Sequence, residues 1–187
     1  MGGLTFKGSG ELSAFKGSSE IPEKVGYDDF FTKGKNGRTE LKANIEFTDK
    51  NGYHTITDDK ARIAFKETTE GLQDGKGVCS EYAQRVVGRE NRLSTDQGGH
   101  IFGTQFNGSS SFDNLLPMDA KVNMNGGQWY DMERQWRGAL DDIPPKRVDI
   151  KVEPSYSGSS SRPNSFNVTY QIEGSREVMV NILNGGQ

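Results

Sequence analysis

The sequence predicts an α+β fold in which strands lie on both sides of one main helix. Alternating apolar and polar residues occur before residue 58 and after residue 147, and residues 128–140 repeat their apolar side chains at helical spacing. The chain has 187 residues, which is the size of one domain or of one domain with an appendage. Its 24 glycines indicate many turns between the predicted elements.

Residues 1–38 differ in composition from the rest of the chain. They are rich in Gly, Ser and Lys and show weak periodicity. Such a composition is typical of linkers. We therefore expect a Gly/Ser-rich linker or a loosely ordered extension over residues 1–38, followed by one folded domain over residues 39–187.

The first element predicted in this domain is a β-hairpin. Apolar and polar residues alternate from Leu41 to Phe47, and the alternation resumes at Tyr53. The Asn51-Gly52 pair between the two runs is a strong hairpin signal. The two segments that follow are less specific. Residues 58–70 suit a strand or a short helix, and residues 79–87 suit one or two helical turns.

The main helix is predicted from apolar residues at three- and four-residue steps. These residues are Trp129, Met132, Trp136 and Leu140. Pro144-Pro145 ends the helical pattern. Glu133 lies beside the apolar stripe, where a carboxylate needs an ion-pair partner or a metal. Arg134 and Arg137 on the same helix are compatible with solvated charges or with a phosphate clamp.

The end of the chain predicts an antiparallel meander of three strands. Each run alternates apolar and polar residues, and turn residues separate the runs. The three runs are residues 148–154, 165–172 and 178–183.

Composition excludes several classes of protein. No apolar run approaches the ~18 residues of a membrane span, so we expect no membrane insertion. Met1-Gly2-Gly3 lacks the layout of a signal peptide, and we expect none in this chain. Cys79 is the only cysteine and cannot form an internal disulfide. The net charge of −3 offers no general basic field, so any bound phosphate is held at a local site.

The sequence Gly98-Gly99-His100 is the first candidate for a catalytic motif. The two glycines remove side-chain bulk beside the imidazole, which lets a backbone or a substrate phosphate come close. A general base needs such an arrangement. The alternative is a bulge with His100 as a polar residue at the end of a strand.

The order of motifs resembles that of the DNA/RNA non-specific endonuclease family, and in particular its branch of C-terminal toxin modules in bacterial polymorphic toxins. The resemblance extends over about residues 40–180 and rests on the order of several motifs. These motifs are Asp96-Gln97-Gly98-Gly99-His100, Phe106-Asn107-Gly108, Asp113 to Met118, Asn123, the helix with Trp129, Met132, Glu133 and Trp136, residues 148–156, Ser161-Arg162-Pro163 and Ser165-Phe166.

The resemblance implies a ββα-metal core and assigns roles to individual residues. His100 corresponds to the general base, a role that suits a neutral imidazole. Asn123 and Glu133 correspond to the metal ligands. Asn114 matches a further family asparagine that we expect beside the site. The implied metal is Mg²⁺, with Mn²⁺ as an alternative, and Mg²⁺ needs few protein ligands.

Two departures from the family pattern leave alternatives open. The commoner motif has an arginine before a single glycine and the histidine, whereas this chain has Gln97 and a second glycine there. Arg92, Arg134 and Arg137 are candidates for the missing cation. Asn123 lies ten residues before Glu133, whereas Asn125 fits the shorter spacing of many relatives.

The resemblance predicts a metal-dependent endonuclease that hydrolyses DNA, and also RNA, without sequence specificity. Its catalytic candidates are His100, Asn114, Gln97 and Arg134. The implied role is that of an antibacterial toxin domain, secreted or delivered into target cells and neutralised by a cognate immunity protein. The alternative is a catalytically inactive module of the same fold that binds nucleic acid or protein.

Overall fold

The computed structural model describes residues 21–185, and strands form most of its regular structure. The strands are β1 (Glu23–Lys24), β2 (Phe31–Lys33), β3 (Thr39–Leu41), β4 (Ile45–Thr48), β5 (Tyr53–Thr57), β6 (Ile63–Thr68), β7 (Asp96–His100), β8 (Leu115–Asp119), β9 (Val148–Tyr156), β10 (Pro163–Ile172) and β11 (Val178–Leu183). The α-helices in the same range are α1 (Glu81–Val86), α2 (Ala120–Asn123) and α3 (Gln128–Leu140). None of them is long and apolar enough to cross a membrane.

A seven-stranded sheet is the frame of the fold. Its strand order is β1-β4-β5-β6-β9-β10-β11, with β1 parallel to β4 and every other neighbouring pair antiparallel. The hairpin predicted around Asn51-Gly52 is formed by β4 and β5, and the ambiguous segment after it contains strand β6. The predicted C-terminal meander is β9-β10-β11. The expected α+β architecture is confirmed.

Helix α3 packs its predicted apolar stripe against this sheet. Trp129 and Trp136 are fully buried, with ring centroids 5.3 Å from Phe166 and 5.7 Å from Tyr170 on β10. Ala139 is buried where the stripe continues, whereas Leu140 is half-buried. The large aromatic contact area fixes the face that α3 turns toward the sheet.

The described part of the predicted N-terminal extension is packed on the domain. β1 joins the edge of the large sheet, and the Glu23 N–H donates to the carbonyl of Asn44 at 2.8 Å. Phe30 is only 6% exposed and stacks on Phe47 with a centroid distance of 4.2 Å. β1 and Phe30 thus attach residues 21–38 to the domain, although most side chains of this range are exposed, and the domain boundary at residue 38 stays a prediction. Residues 1–20 lie outside the described range.

Strands β7 and β8 form a separate two-stranded sheet that carries His100 at its end. Neighbouring elements pack closely against both glycines of β7. A Cβ on Gly98 would lie 2.4 Å from the Cα and carbonyl oxygen of Gln84 in α1, and a Cβ on Gly99 would lie 2.9 Å from the side chain of Met118. Gly98 thus lets a helix backbone approach the strand, which is one of the two uses that the sequence predicted for the glycine pair.

Candidate active site

Three predicted site residues line one cleft of about 290 Å³. His100 ends β7, Asn123 ends α2, and Glu133 lies in the second turn of α3. The complete lining is His100, Gly103, Thr104, Gln105, Asn123 and Glu133, which we call the His100 cleft. The β-β-α arrangement therefore brings together side chains that are up to 33 positions apart in the sequence.

His100 has the properties of a proton acceptor. The imidazole is half-buried, and its Nε2 atom is buried with no hydrogen-bond partner among residues 21–185. Burial lowers the pKa of His100, since desolvation disfavours the charged ring. The ring is therefore neutral near pH 7, and as part of the cleft lining it can take a proton from a bound water.

The negative charge of the Glu133 carboxylate is stabilised by few protein groups. Burial raises its pKa to about 7, and a hydrogen bond from the backbone N–H of Gly103 opposes that shift. Gly103 has no room for a side chain, because a Cβ there would lie 2.7 Å from Glu133 Oε1. A partly desolvated carboxylate in a polar cleft is stabilised by a cation more strongly than one in water.

Asn123 presents an amide oxygen because its amide nitrogen is engaged. Its Nδ2 donates to Oε1 of Gln97 at 3.0 Å, which orients the side chain. Asn125, the alternative ligand, is exposed in the turn after α2 and is not part of the cleft lining. That turn is tight, since a Cβ on Gly127 would lie 2.2 Å from the carbonyl oxygen of Val122. α2 thus ends close to the start of α3.

The donor atoms of the cleft suit a hard divalent cation. Among the described residues, no three His, Cys, Asp or Glu side chains converge on a possible metal position. The cleft instead combines the carboxylate of Glu133 with the amide oxygen of Asn123. Mg²⁺ retains several waters and accepts few protein oxygens, and Mn²⁺ favours the same ligand types. The residues present therefore fit the ion that the resemblance implies.

Asn114 lies away from the cleft. It is fully buried, and its Oδ1 accepts from the N–H of Phe102 at 3.0 Å. Its Nδ2 donates to the carbonyls of Phe102 and Ser109, both at 2.8 Å. Its amide is engaged by the backbone, and Asn114 is not among the residues that line the cleft, so its role beside the site stays a prediction. Asn114 fastens the loop that carries Gly103 and Thr104.

The candidate cations differ in their surroundings. Arg134 is exposed on α3 and does not line the His100 cleft. Arg137 pairs with Asp74 at 2.8 Å and with Asp141 at 2.7 Å. Arg92 donates to two backbone carbonyls, of Gln84 and Asp96. The expectation that Arg134 contributes to catalysis therefore has no support in its position.

A second cleft of about 450 Å³ adjoins the first. Its lining is Glu81, Gln84, Arg85, Arg92, Gln97, Gly98, His100 and Asn123, and we call it the α1 cleft. It shares His100 and Asn123 with the His100 cleft. Arg85 was not among the candidate residues. Its signals in the sequence are its place in the predicted helical segment over residues 79–87 and the excess of arginines over acidic residues in the range 81–92.

A family model described as DNA/RNA non-specific endonuclease matches residues 42–174, a range that includes His100, Asn123 and Glu133. The chain belongs to this family. Over 142 residues it is 40% identical to the type VII secretion system protein EssD of Staphylococcus aureus, strains USA300 and NCTC 8325 / PS 47. This match covers 74% of the chain and 23% of EssD, so the chain spans less than a third of the length of these relatives.

Solved structures support the fold of this DNA/RNA non-specific endonuclease. NucA from Streptococcus agalactiae, in crystal structures with a magnesium ion bound and with no metal bound, matches at TM-scores of 0.55 and 0.50. Sequence identity is 18% in both cases, and the matches cover 73% of this chain and 81% of NucA. The predicted family and its ββα architecture are therefore confirmed, while the toxin branch stays a prediction.

Proposed function

We propose that this domain is a metal-dependent endonuclease that hydrolyses phosphodiester bonds in DNA and RNA without sequence specificity. The observation that carries the proposal is the convergence of His100, Asn123 and Glu133 on one cleft. Membership of the DNA/RNA non-specific endonuclease family gives the reaction class. A backbone cleavage site needs no contacts to base edges, which agrees with a cleft lined by groups suited to a cation and a phosphate.

In the proposed mechanism, the neutral imidazole of His100, which lines the cleft, accepts a proton from the water that attacks phosphorus. Asn123 and Glu133 would hold a Mg²⁺ or Mn²⁺ ion through oxygen atoms. When bound, this ion stabilises charge on the scissile phosphate and on the leaving 3′-oxygen. Gln97 orients Asn123, and the backbone N–H of Gly103 favours the charged form of Glu133 by opposing the rise of its pKa. Asn114 acts through the loop it fastens and has no contact with substrate.

The biological role we propose is that of a toxin domain delivered into target bacteria. The support is the 40% identity to EssD, whose name places it in a type VII secretion system. A producing cell then needs protection, and a cognate immunity protein that covers the His100 cleft is the simplest means. Expression in a bacterial cytoplasm should stop growth with the native chain and leave growth normal with His100→Ala.

The activity is tested by incubating supercoiled plasmid and a structured RNA with the purified protein. We expect cleavage of both with Mg²⁺ or Mn²⁺ and none with a chelator. Retardation of the plasmid in a gel without cleavage would instead identify the inactive binding module of the same fold. Cleavage at full rate in the presence of the chelator would reject the proposed role of Asn123 and Glu133.

A further inference from the structure

The α1 cleft is walled on one side by helix α1 and on the other by strand β7. It contains the shared residues His100 and Asn123, so a substrate seated at the reacting groups has one flank against α1. Gln84 and Arg85 are the part of α1 that lines this cleft after Glu81. A phosphodiester chain carries a charged phosphate on each nucleotide, so a phosphate near the scissile one reaches this wall.

Two contacts hold α1 in this position. Gly98 has no side chain, and the backbone of Gln84 occupies the space where a Cβ would stand. Arg92 donates from Nη1 to the carbonyl of Gln84 and from Nη2 to the carbonyl of Asp96 at 2.7 Å, and thereby ties α1 to the start of β7. Arg85, the residue that follows Gln84, is thus held in the lining that it shares with His100 by the packing of α1 on Gly98.

Arg85 is the available cation of this cleft. Arg92 also lines the cleft, but its two amino groups donate hydrogen bonds to the backbone carbonyls of Gln84 and Asp96. Arg85 is exposed, and no ion pair joins it to an acidic side chain within residues 21–185, although Glu81 lies one helical turn before it. A guanidinium in this state can bind phosphate through two parallel hydrogen bonds.

Gln97 explains why the cation comes from another element. Its Oε1 accepts the hydrogen bond from the amide nitrogen of Asn123, which leaves the oxygen of Asn123 available. An arginine has only donors and cannot accept this hydrogen bond. Position 97 therefore orients a ligand in this chain, and the positive charge has to be supplied from elsewhere.

We infer that Arg85 binds a backbone phosphate of the nucleic acid next to the scissile one, and so replaces the cation missing from the Asp96–His100 motif. The inference rests on the proposed function, since it places the same substrate in the same site. In this arrangement the bound nucleic-acid strand runs from the scissile phosphate at His100 along helix α1.

The test compares Arg85→Gln with Arg176→Gln, a matched control in the exposed turn between β10 and β11. Binding of a short fluorescein-labelled DNA duplex is followed by anisotropy over a series of KCl concentrations, with each substitution placed in a His100→Ala background. We expect Arg85→Gln to weaken binding about tenfold at low salt, and to reduce the slope of log K against log salt by about 0.9. Arg176→Gln should change neither quantity, and Arg85→Lys should keep the slope.

Cleavage kinetics give the second readout. Arg85→Gln in the otherwise native chain should raise KM about tenfold with a smaller change in kcat, because the contact lies beside the reacting phosphate. An unchanged salt slope together with an unchanged KM would overturn the inference. The same losses in Arg134→Gln and not in Arg85→Gln would transfer the role to α3. A native chain that binds DNA through Arg85 but cleaves nothing would reject the proposed function and retain the contact.

Discussion

The two ends of strand β7 show how anchoring and reacting groups differ in this molecule. At the first residue, both carboxylate oxygens of Asp96 are bound by Arg162, at 2.7 and 2.8 Å, in a buried pair. At the last residue, Nε2 of His100 is buried with no partner in the described part of the chain. Within one strand, the side chain whose hydrogen bonds are complete fixes the fold, and the one whose ring has no protein partner at Nε2 lines a cleft and is available for chemistry.

The same difference separates two asparagines. Asn114 uses its oxygen and both amide hydrogens on the backbone of one loop. Asn123 donates a hydrogen bond from its amide nitrogen to Gln97 and lines the His100 cleft, and its amide oxygen has no assigned partner in the described residues. Residue type is therefore a weaker guide to function than the hydrogen-bond capacity that the fold leaves unused.

The largest effect is expected at the anchored end of β7. Arg162→Met leaves the carboxylate of Asp96 buried without its partner, which should lower the free energy of unfolding by about 3–5 kcal/mol. Urea denaturation measures this loss. Arg147→Met removes an exposed pair with Asp149 and should cost at most about 1 kcal/mol. Equal losses in the two variants would mean that the Asp96 pair is not an anchor.

At the other end of β7, His100→Ala should remove activity and spare the fold. Loss of a positioned base should reduce the rate of plasmid cleavage at least ~10²-fold. The melting temperature should stay close to that of the native chain, since the Nε2 atom of the imidazole has no protein partner to lose. His54→Ala is the control, because His54 lies between Glu46 and Glu67 on the large sheet. A His100→Ala variant with native rate would contradict the mechanism.

Asn114→Ala tests the asparagine whose hydrogen bonds are complete. The substitution leaves backbone groups of Phe102 and Ser109 without their partner and should lower the free energy of unfolding by about 2 kcal/mol. Urea denaturation again gives the value. Asn181→Ala, on an exposed position of β11, should change it by at most about 0.5 kcal/mol. A stable Asn114→Ala variant with strongly reduced cleavage would instead restore Asn114 to the reacting groups.

Asn123→Ala tests the asparagine with an unused oxygen, and the expected effect is the smallest of the four. The Mg²⁺ concentration for half-maximal cleavage should rise about tenfold, by analogy with the loss of groups that support a metal site. Asn125→Ala is the matched control and should leave the Mg²⁺ titration unchanged, since Asn125 is outside the cleft. The reverse result would make Asn125 the ligand.

Much of the fold could be predicted because it depends on local periodicity. The hairpin at Asn51-Gly52, helix α3 and the strands β9 to β11 follow from alternation, helical spacing and turn residues. These patterns report which face of an element is buried. The packing of residues 21–38 could not be predicted in this way, because Phe30 is buried by its contact with Phe47 and not by a periodic pattern of its own.

The sequence by itself determined helix α3 and most strands of the large sheet and, through the order of its motifs, the candidate residues His100, Asn123 and Glu133. Only the tertiary structure decided which neighbours share their cleft. It engaged the amide of Asn114 in backbone hydrogen bonds, gave Gln97 a hydrogen bond to Asn123, and placed Arg85 in a cleft that His100 also lines. The reason is physical: a side chain's type fixes what bonds it can make, but the packing of distant segments fixes which of those bonds are already used.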